Sequence, residues 1–141
     1  MSRTKTYDGF TTAERDAMKD RAKELKSARA TVDPEAEVLA KIANLNDSDR
    51  AIGEKIHAIV TANAPQLTPR LWYGMPAYAK NGKVVCFFQP AAKFKARFAM
   101  LGFSDEATLD DGNVWPTYYA VKQLTPADEK KIAAIMKNAV R

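Results

Sequence analysis

Hydrophobic positions recur with a helical period up to about Ala64 and then switch, from Leu71, to the β-branched and aromatic runs with turn signals expected of strands. At the start, Thr11-Thr12-Ala13-Glu14 reads as a capping box, and it opens a helix predicted to reach about Ala30. The apolar stripe of this helix (Met18, Ala22, Leu25, Ala28) is thin beside Arg15, Lys19, Arg21, Lys23 and Lys26. The helix is therefore expected on the surface or projecting from it as an arm. Asp33-Pro34 sets an N-cap before a proline at the first helical position, and Val38, Leu39 and Ile42 form one stripe of a short second helix. After the polar cluster Asn46-Asp47-Ser48-Asp49, the residues Ile52, Ile56, Ile59 and Val60 give the strongest helical period of the chain and predict a core helix. Ala64-Pro65 ends it, and Pro69 keeps the connection extended.

Asn81-Gly82 predicts a hairpin, since a type I′ turn needs positive φ at both central residues. Pairing Lys80 with Lys83 sets Ala79 opposite Val84, Tyr78 opposite Val85, Ala77 opposite Cys86 and Pro76 opposite Phe87. The run Lys93-Phe94-Lys95-Ala96-Arg97-Phe98 alternates strictly and predicts a further half-buried strand. A register with Gln89 opposite Lys93 keeps the lysines off the apolar side, because a slip of one residue exchanges the faces. The expected core face then holds Met75, Ala77, Ala79, Val84, Cys86, Phe88, Phe94, Ala96 and Phe98. The opposite face combines Pro76, Tyr78, Val85 and Phe87 with Lys80, Lys83, Lys93, Lys95 and Arg97. Leu101-Gly102-Phe103 ends this strand, and a last strand is predicted from Val114 to about Val121. Thr125-Pro126-Ala127-Asp128 then starts a helix whose stripe is Ile132, Ile135, Met136 and Ala139.

This pattern predicts an α+β fold, an antiparallel sheet of about five strands packed on one face by helices, with a helical arm at the N-terminal end. At 141 residues and 46% hydrophobic, the chain is the size of one domain with a core of its own. The net charge of +5 is unevenly placed. No acidic residue occurs between Glu54 and Asp105, a stretch that carries Lys55, Arg70, Lys80, Lys83, Lys93, Lys95 and Arg97. Met1 to Phe10 contain no apolar signal-peptide core and no run is long enough for a membrane helix, so a cytoplasmic protein without a membrane partner is expected. The lone Cys86 fits a reducing compartment.

Few residues suggest reaction chemistry. His57 is the only histidine and sits on the periodic helix without a second histidine or a cysteine pair as a metal partner. Cys86 alternates with apolar residues and has no neighbouring base. No phosphate-loop glycines, nucleophile elbow or paired carboxylates stand out, so catalysis has no nominated residues and no cofactor is required. The constellation with most chemical content is the basic aromatic face. Tyr78, Lys80, Lys83, Phe87, Lys93, Lys95 and Arg97 together would offer cations for an anion and ring area for stacking. A plain exposed sheet face, covered by the N-terminal arm or by a second subunit of a homo-oligomer, is the competing expectation.

The run Trp72-Tyr73-Gly74-Met75-Pro76, the Asn81-Gly82 hairpin, Leu101-Gly102-Phe103 and Trp115-Pro116 together resemble the YdhG-like domains, a bacterial family of largely unknown function. The resemblance spans roughly Asn46 to the C-terminus, and the segment from Phe10 to Ala30 looks like an extension found in relatives. It divides the chain into an arm, residues 1–32, and a YdhG-like α+β domain, residues 33–141. It also implies an antiparallel sheet and, because some members are described as frataxin-like iron chaperones, a metallochaperone alternative. Iron of that kind is held by exposed carboxylates. The only compact acidic group here is Asp105, Glu106, Asp110 and Asp111, so iron binding would rest on those four. The leading expectation is a non-enzymatic binding domain that accepts an anionic ligand or acidic protein on its basic aromatic face.

Overall fold

A computed structural model describes residues 11–29 and 33–141. Three helices, α1 (Thr12–Arg29), α2 (Pro34–Ala43) and α3 (Asp47–Asn63), precede five strands, β1 (Thr68–Trp72), β2 (Met75–Lys80), β3 (Lys83–Gln89), β4 (Ala99–Phe103) and β5 (Tyr118–Val121). The helix α4 (Pro126–Ala139) closes the order. The strands form an antiparallel meander, β1-β2-β3-β4-β5, so the expected α+β class with a five-stranded sheet is what the chain adopts. Of the expected arm, residues 1–10 and 30–32, including the predicted helix end at Ala30, lie outside the described residues.

The helix starts follow the capping signals. Thr11 N donates to Glu14 Oε1 at 2.8 Å while Glu14 N donates to Thr11 Oγ1 at 3.0 Å, a reciprocal box that satisfies two otherwise unpaired donors. Asp33 accepts from Glu35 N, Asn46 accepts from Asp49 N, and Thr125 exchanges bonds with Asp128. Hydrogen bonds from the Thr125 backbone and hydroxyl hold the Asp128 carboxyl below the usual carboxylate range. The isoleucine period of α3 supplies the core as predicted: Ile56 and Val60 are buried with Phe88, Leu101 and Met136 in one cluster between the sheet and the helices.

Two features of the sheet differ from the expected register. Lys80 pairs with Lys83 and Ala79 with Val84, but a bulge then shifts the ladder so that Tyr78 faces Cys86 and Ala77 faces Phe87. One extra residue on β3 changes which residues share a face. Tyr78, Val85, Cys86 and Phe88 all enter the helix-covered core, while Met75 and Ala77 move to the opposite face with Phe87. Strict alternation cannot register an inserted residue, which is why the expected sides of Met75, Ala77, Tyr78, Val84 and Val85 are reversed.

The second difference is that residues 93–98 form no strand. Pro90 follows the end of β3, and Ala92–Phe94 make a 3-10 turn that ends on Lys95 at φ 53°. Asp49, buried at the start of α3, accepts from both Ala91 N and Ala92 N at 3.1 Å and so holds the turn. The alternation of Lys93 to Phe98 imitates a strand, but β4 begins later, with Gln89 opposite Met100 instead of Lys93. The last strand is likewise shorter than predicted, starting at Tyr118 after the turn at Gly112-Asn113.

α2, α3 and α4 cover the inner face of the sheet. α1 lies on the outer one, against β1 and the 3-10 turn. Its docked side is not the predicted apolar stripe: Met18 and Leu25 are exposed, while Ala17 is buried and Asp20, Arg21 and Glu24 are partly covered. A small residue flanked by polar side chains seats this helix by hydrogen bonds, which an apolar-stripe criterion does not detect. Among the described residues, no helix is long and apolar enough to cross a membrane.

Candidate ligand-binding cleft beneath the first helix

The attachment of α1 explains the Tyr73-Gly74 turn between β1 and β2. Glu24 accepts from Tyr73 N at 2.9 Å and from Gly74 N at 2.5 Å, so one carboxylate fills both outward-pointing donors of the turn. Lys93 Nζ pairs with Asp20 Oδ2 at 2.5 Å just above Gly74. Gly74 has φ +77°, and a Cβ there would run into the Asp20 carboxylate and the Lys93 amine. Gly74→Ala is therefore expected to cost about 1–2 kcal/mol from backbone strain alone. It should also loosen α1 selectively, read as faster hydrogen exchange in α1 than in α3. Equal protection of both helices in the variant would contradict this account of the seat.

Behind that seat lies a cleft. On the outer face, Arg70 and Trp72 of β1 stand two residues apart and so project to the same side. Trp72 packs on Phe87, centroids 5.2 Å apart, and Phe87 meets Tyr118 edge-on at 5.8 Å. Gly102 lies opposite Phe87 in the ladder, and its missing side chain is what lets the Phe87 ring lie across β4: a Cβ there would stand 2.5 Å from the ring. One cavity of about 370 Å³ lies between α1 and these rings, bounded by Met18, Tyr73, Met75, Phe94 and Tyr118 as well as Trp72 and Phe87. A second, of about 260 Å³, shares Trp72 and Phe87 and is bounded by Arg21 and Arg70.

Arg70 differs from the paired cations of the basic stretch. Lys93 is paired with Asp20, Lys83 with Glu106 at 4.0 Å and Lys55 with Glu129 at 3.8 Å, so acids from the flanking segments neutralise much of the charge. Arg70 has no ion pair or hydrogen bond of its side chain among the described residues. Arg21 stands over the Tyr73 ring, 5.6 Å from its centroid. It is also ion-paired with Glu24, 3.5 Å from Nη1, although that contact is not a formed hydrogen bond.

The seven candidates named from sequence are not brought together. Phe87 forms a wall of the cleft, and Lys93 anchors α1 at its edge. Tyr78 is only 1% exposed, on the other side of the sheet, and its hydroxyl lies 2.9 Å from His57 Nδ1. Lys80 and Lys83 sit exposed at the hairpin tip, Lys95 is exposed beyond the 3-10 turn, and Arg97 stacks on Phe98 at 5.1 Å. The residues missed were Arg21, read only as part of the polar face of the first helix, Arg70, present in the basic stretch but not singled out, and Trp72 and Tyr73, read only as part of the run that carries the resemblance.

The four acidic candidates also separate. Asp105 is exposed, Glu106 pairs with Lys83, and Asp110 and Asp111 border a cavity that Arg141 also lines. Among the described residues, no three His, Cys, Asp or Glu side chains gather where they could hold a metal ion. Cys86 is buried with its thiol pushed up to about 12 by desolvation, which keeps it protonated and unreactive at neutral pH. His57 links α2 to the sheet, with Glu35 Oε2 3.2 Å from Nε2 on the far side from Tyr78. Burial raises the Tyr78 phenol above its ordinary value, so it stays a neutral partner in this chain.

Comparison of the chain with protein-family models, with curated proteins and with solved structures found no match.

Proposed function

We propose that this chain is a non-enzymatic binding domain, YdhG-like in type, which accepts an anionic ligand on its basic and aromatic outer sheet face. The observation that carries the proposal is the convergence of Arg21, from α1, and Arg70, from β1, on one cavity walled by Trp72 and bordered by no acidic side chain. A guanidinium pair presents several fixed donors to an oxyanion, and the neighbouring ring lowers the local polarity so that each charge-assisted bond counts for more than it would in water. The anion site thus lies under α1 and not along Lys93, Lys95 and Arg97.

Titration with inorganic phosphate tests this. Saturable binding should weaken steadily with added salt and fall at least tenfold in an Arg21→Met, Arg70→Met double variant, about 1.4 kcal/mol or more. A Lys80→Ala, Lys83→Ala variant at the hairpin tip should bind as the parent does. Equal loss in both variants would reduce the effect to net charge and remove the site.

A further inference from the structure

From the chemistry of the larger cavity we infer the class of ligand: a planar aromatic compound carrying one phosphate or carboxylate group, its ring beneath α1 and its anion on Arg21 and Arg70. The inference rests on the anion reading of the same face and adds the body of the ligand to the head.

Five of the ten residues bordering the larger cavity are aromatic, namely Trp72, Tyr73, Phe87, Phe94 and Tyr118. Their mutual contacts are edge-on or tilted: Trp72 with Tyr73 at 80°, Trp72 with Phe87 at 56° and Phe87 with Tyr118 at 79°. Rings arranged in this way offer faces and edges to a further ring. Met18 on α1 and Met75 on β2 complete the walls with flexible thioethers, which adapt to a flat guest and make favourable contacts with its edge.

The mouth of the cavity is unusual in its exposure. Three of the six large hydrophobic side chains left exposed among the described residues, Met18, Tyr73 and Tyr118, border this one cavity, at 41%, 37% and 56% exposure. Apolar side chains gathered at one opening mark a binding surface, whereas scattered ones do not. At about 370 Å³ the cavity is at the small end of ligand sites, fitting one or two fused rings better than an extended chain or a protein segment. Trp72 and Phe87 border both cavities, which places the arginine pair next to the rings against which the guest stacks.

Four probes separate the head from the body: 1-naphthyl phosphate, inorganic phosphate, 1-naphthol and octyl phosphate, with 1-naphthoate added to compare carboxylate with phosphate. Binding is followed by quenching of tryptophan fluorescence and by calorimetry. The expected order has 1-naphthyl phosphate at least tenfold tighter than inorganic phosphate, 1-naphthol and octyl phosphate. Tyr118→Ala, at an exposed position where folding is not at stake, should weaken the naphthyl compound severalfold and leave inorganic phosphate unchanged, while Arg70→Met should weaken both. If inorganic phosphate binds as tightly as 1-naphthyl phosphate, the ligand class fails and the anion site stands. If 1-naphthol binds as tightly as its phosphate and Arg70→Met has no effect, the anion reading fails as well. Tighter binding of octyl phosphate would replace the aromatic body by an acyl-like one. A concentration-dependent dimer that is abolished by Tyr118→Asp and binds none of the probes would assign the face to a second copy of the chain and overturn the inference.

Discussion

Replacing Phe88 by alanine is expected to destabilise the protein by about 3–5 kcal/mol, the range for removing a large ring from a packed core. Phe88 is fully buried and stands where β3 meets α3. Gly53 of α3 lets the helix come this close: a Cβ there would lie 3.2 Å from the ring. Because the neighbouring backbone is a helix on one side and a central strand on the other, neither can collapse into the space left behind, and the cavity cost adds to the lost transfer energy. Equilibrium denaturation should show a lower midpoint with an unchanged slope. A Phe88→Leu variant should recover more than half of the loss. A loss under about 1 kcal/mol in the alanine variant would mean that this wall relaxes, contrary to close packing.

Asp49→Ala is expected to cost about 2–3 kcal/mol, because the carboxylate satisfies two backbone donors that nothing else in the fold reaches. Asp49 is 3% exposed, sits in the first turn of α3, where the helix dipole favours a negative charge, and binds Ala91 N and Ala92 N. Asp49→Asn keeps one acceptor and should lose about half as much, which separates hydrogen bonding from side-chain volume. Hydrogen exchange at Ala91 and Ala92 should rise in the alanine variant more than exchange elsewhere. If both variants unfold at the parent's midpoint, the 3-10 turn is held by other contacts.

These two residues illustrate what a linear pattern conveys. Ile52, Ile56, Ile59 and Val60 declare a buried helix because a period of three and four has only one physical solution in water. Thr11, Asp33, Asn46 and Thr125 declare helix starts because the bonds they make are local. The Asn81-Gly82 turn is equally local, and the first two pairs of its hairpin followed from it. The bulge after Ala79 did not, since it depends on how β3 must bend to meet both β2 and β4. Nor did the 3-10 turn, whose two key donors are bonded to an aspartate more than forty residues earlier.

The candidate site shows the same division more sharply. Basic and aromatic residues in the centre of the chain were visible, and so was the absence of acids among them. Which cations stay available was not, because that depends on partners brought from elsewhere: Asp20 to Lys93, Glu106 to Lys83, Glu129 to Lys55. Arg21 belongs to a helix whose apolar stripe suggested a solvated arm, and the bonds from Tyr73 N and Gly74 N to Glu24 and from Lys93 to Asp20 place it over the sheet.

By itself, then, the sequence determined the helices, their caps, the hairpin and the α+β class, all of which arise from interactions within a few residues or from a simple period. The tertiary structure decided the faces of the sheet, the place of α1 and the pairing of Arg21 with Arg70. Those depend on a single inserted residue and on hydrogen bonds between segments distant in the chain, whose energies are as large as the local ones but leave no period behind.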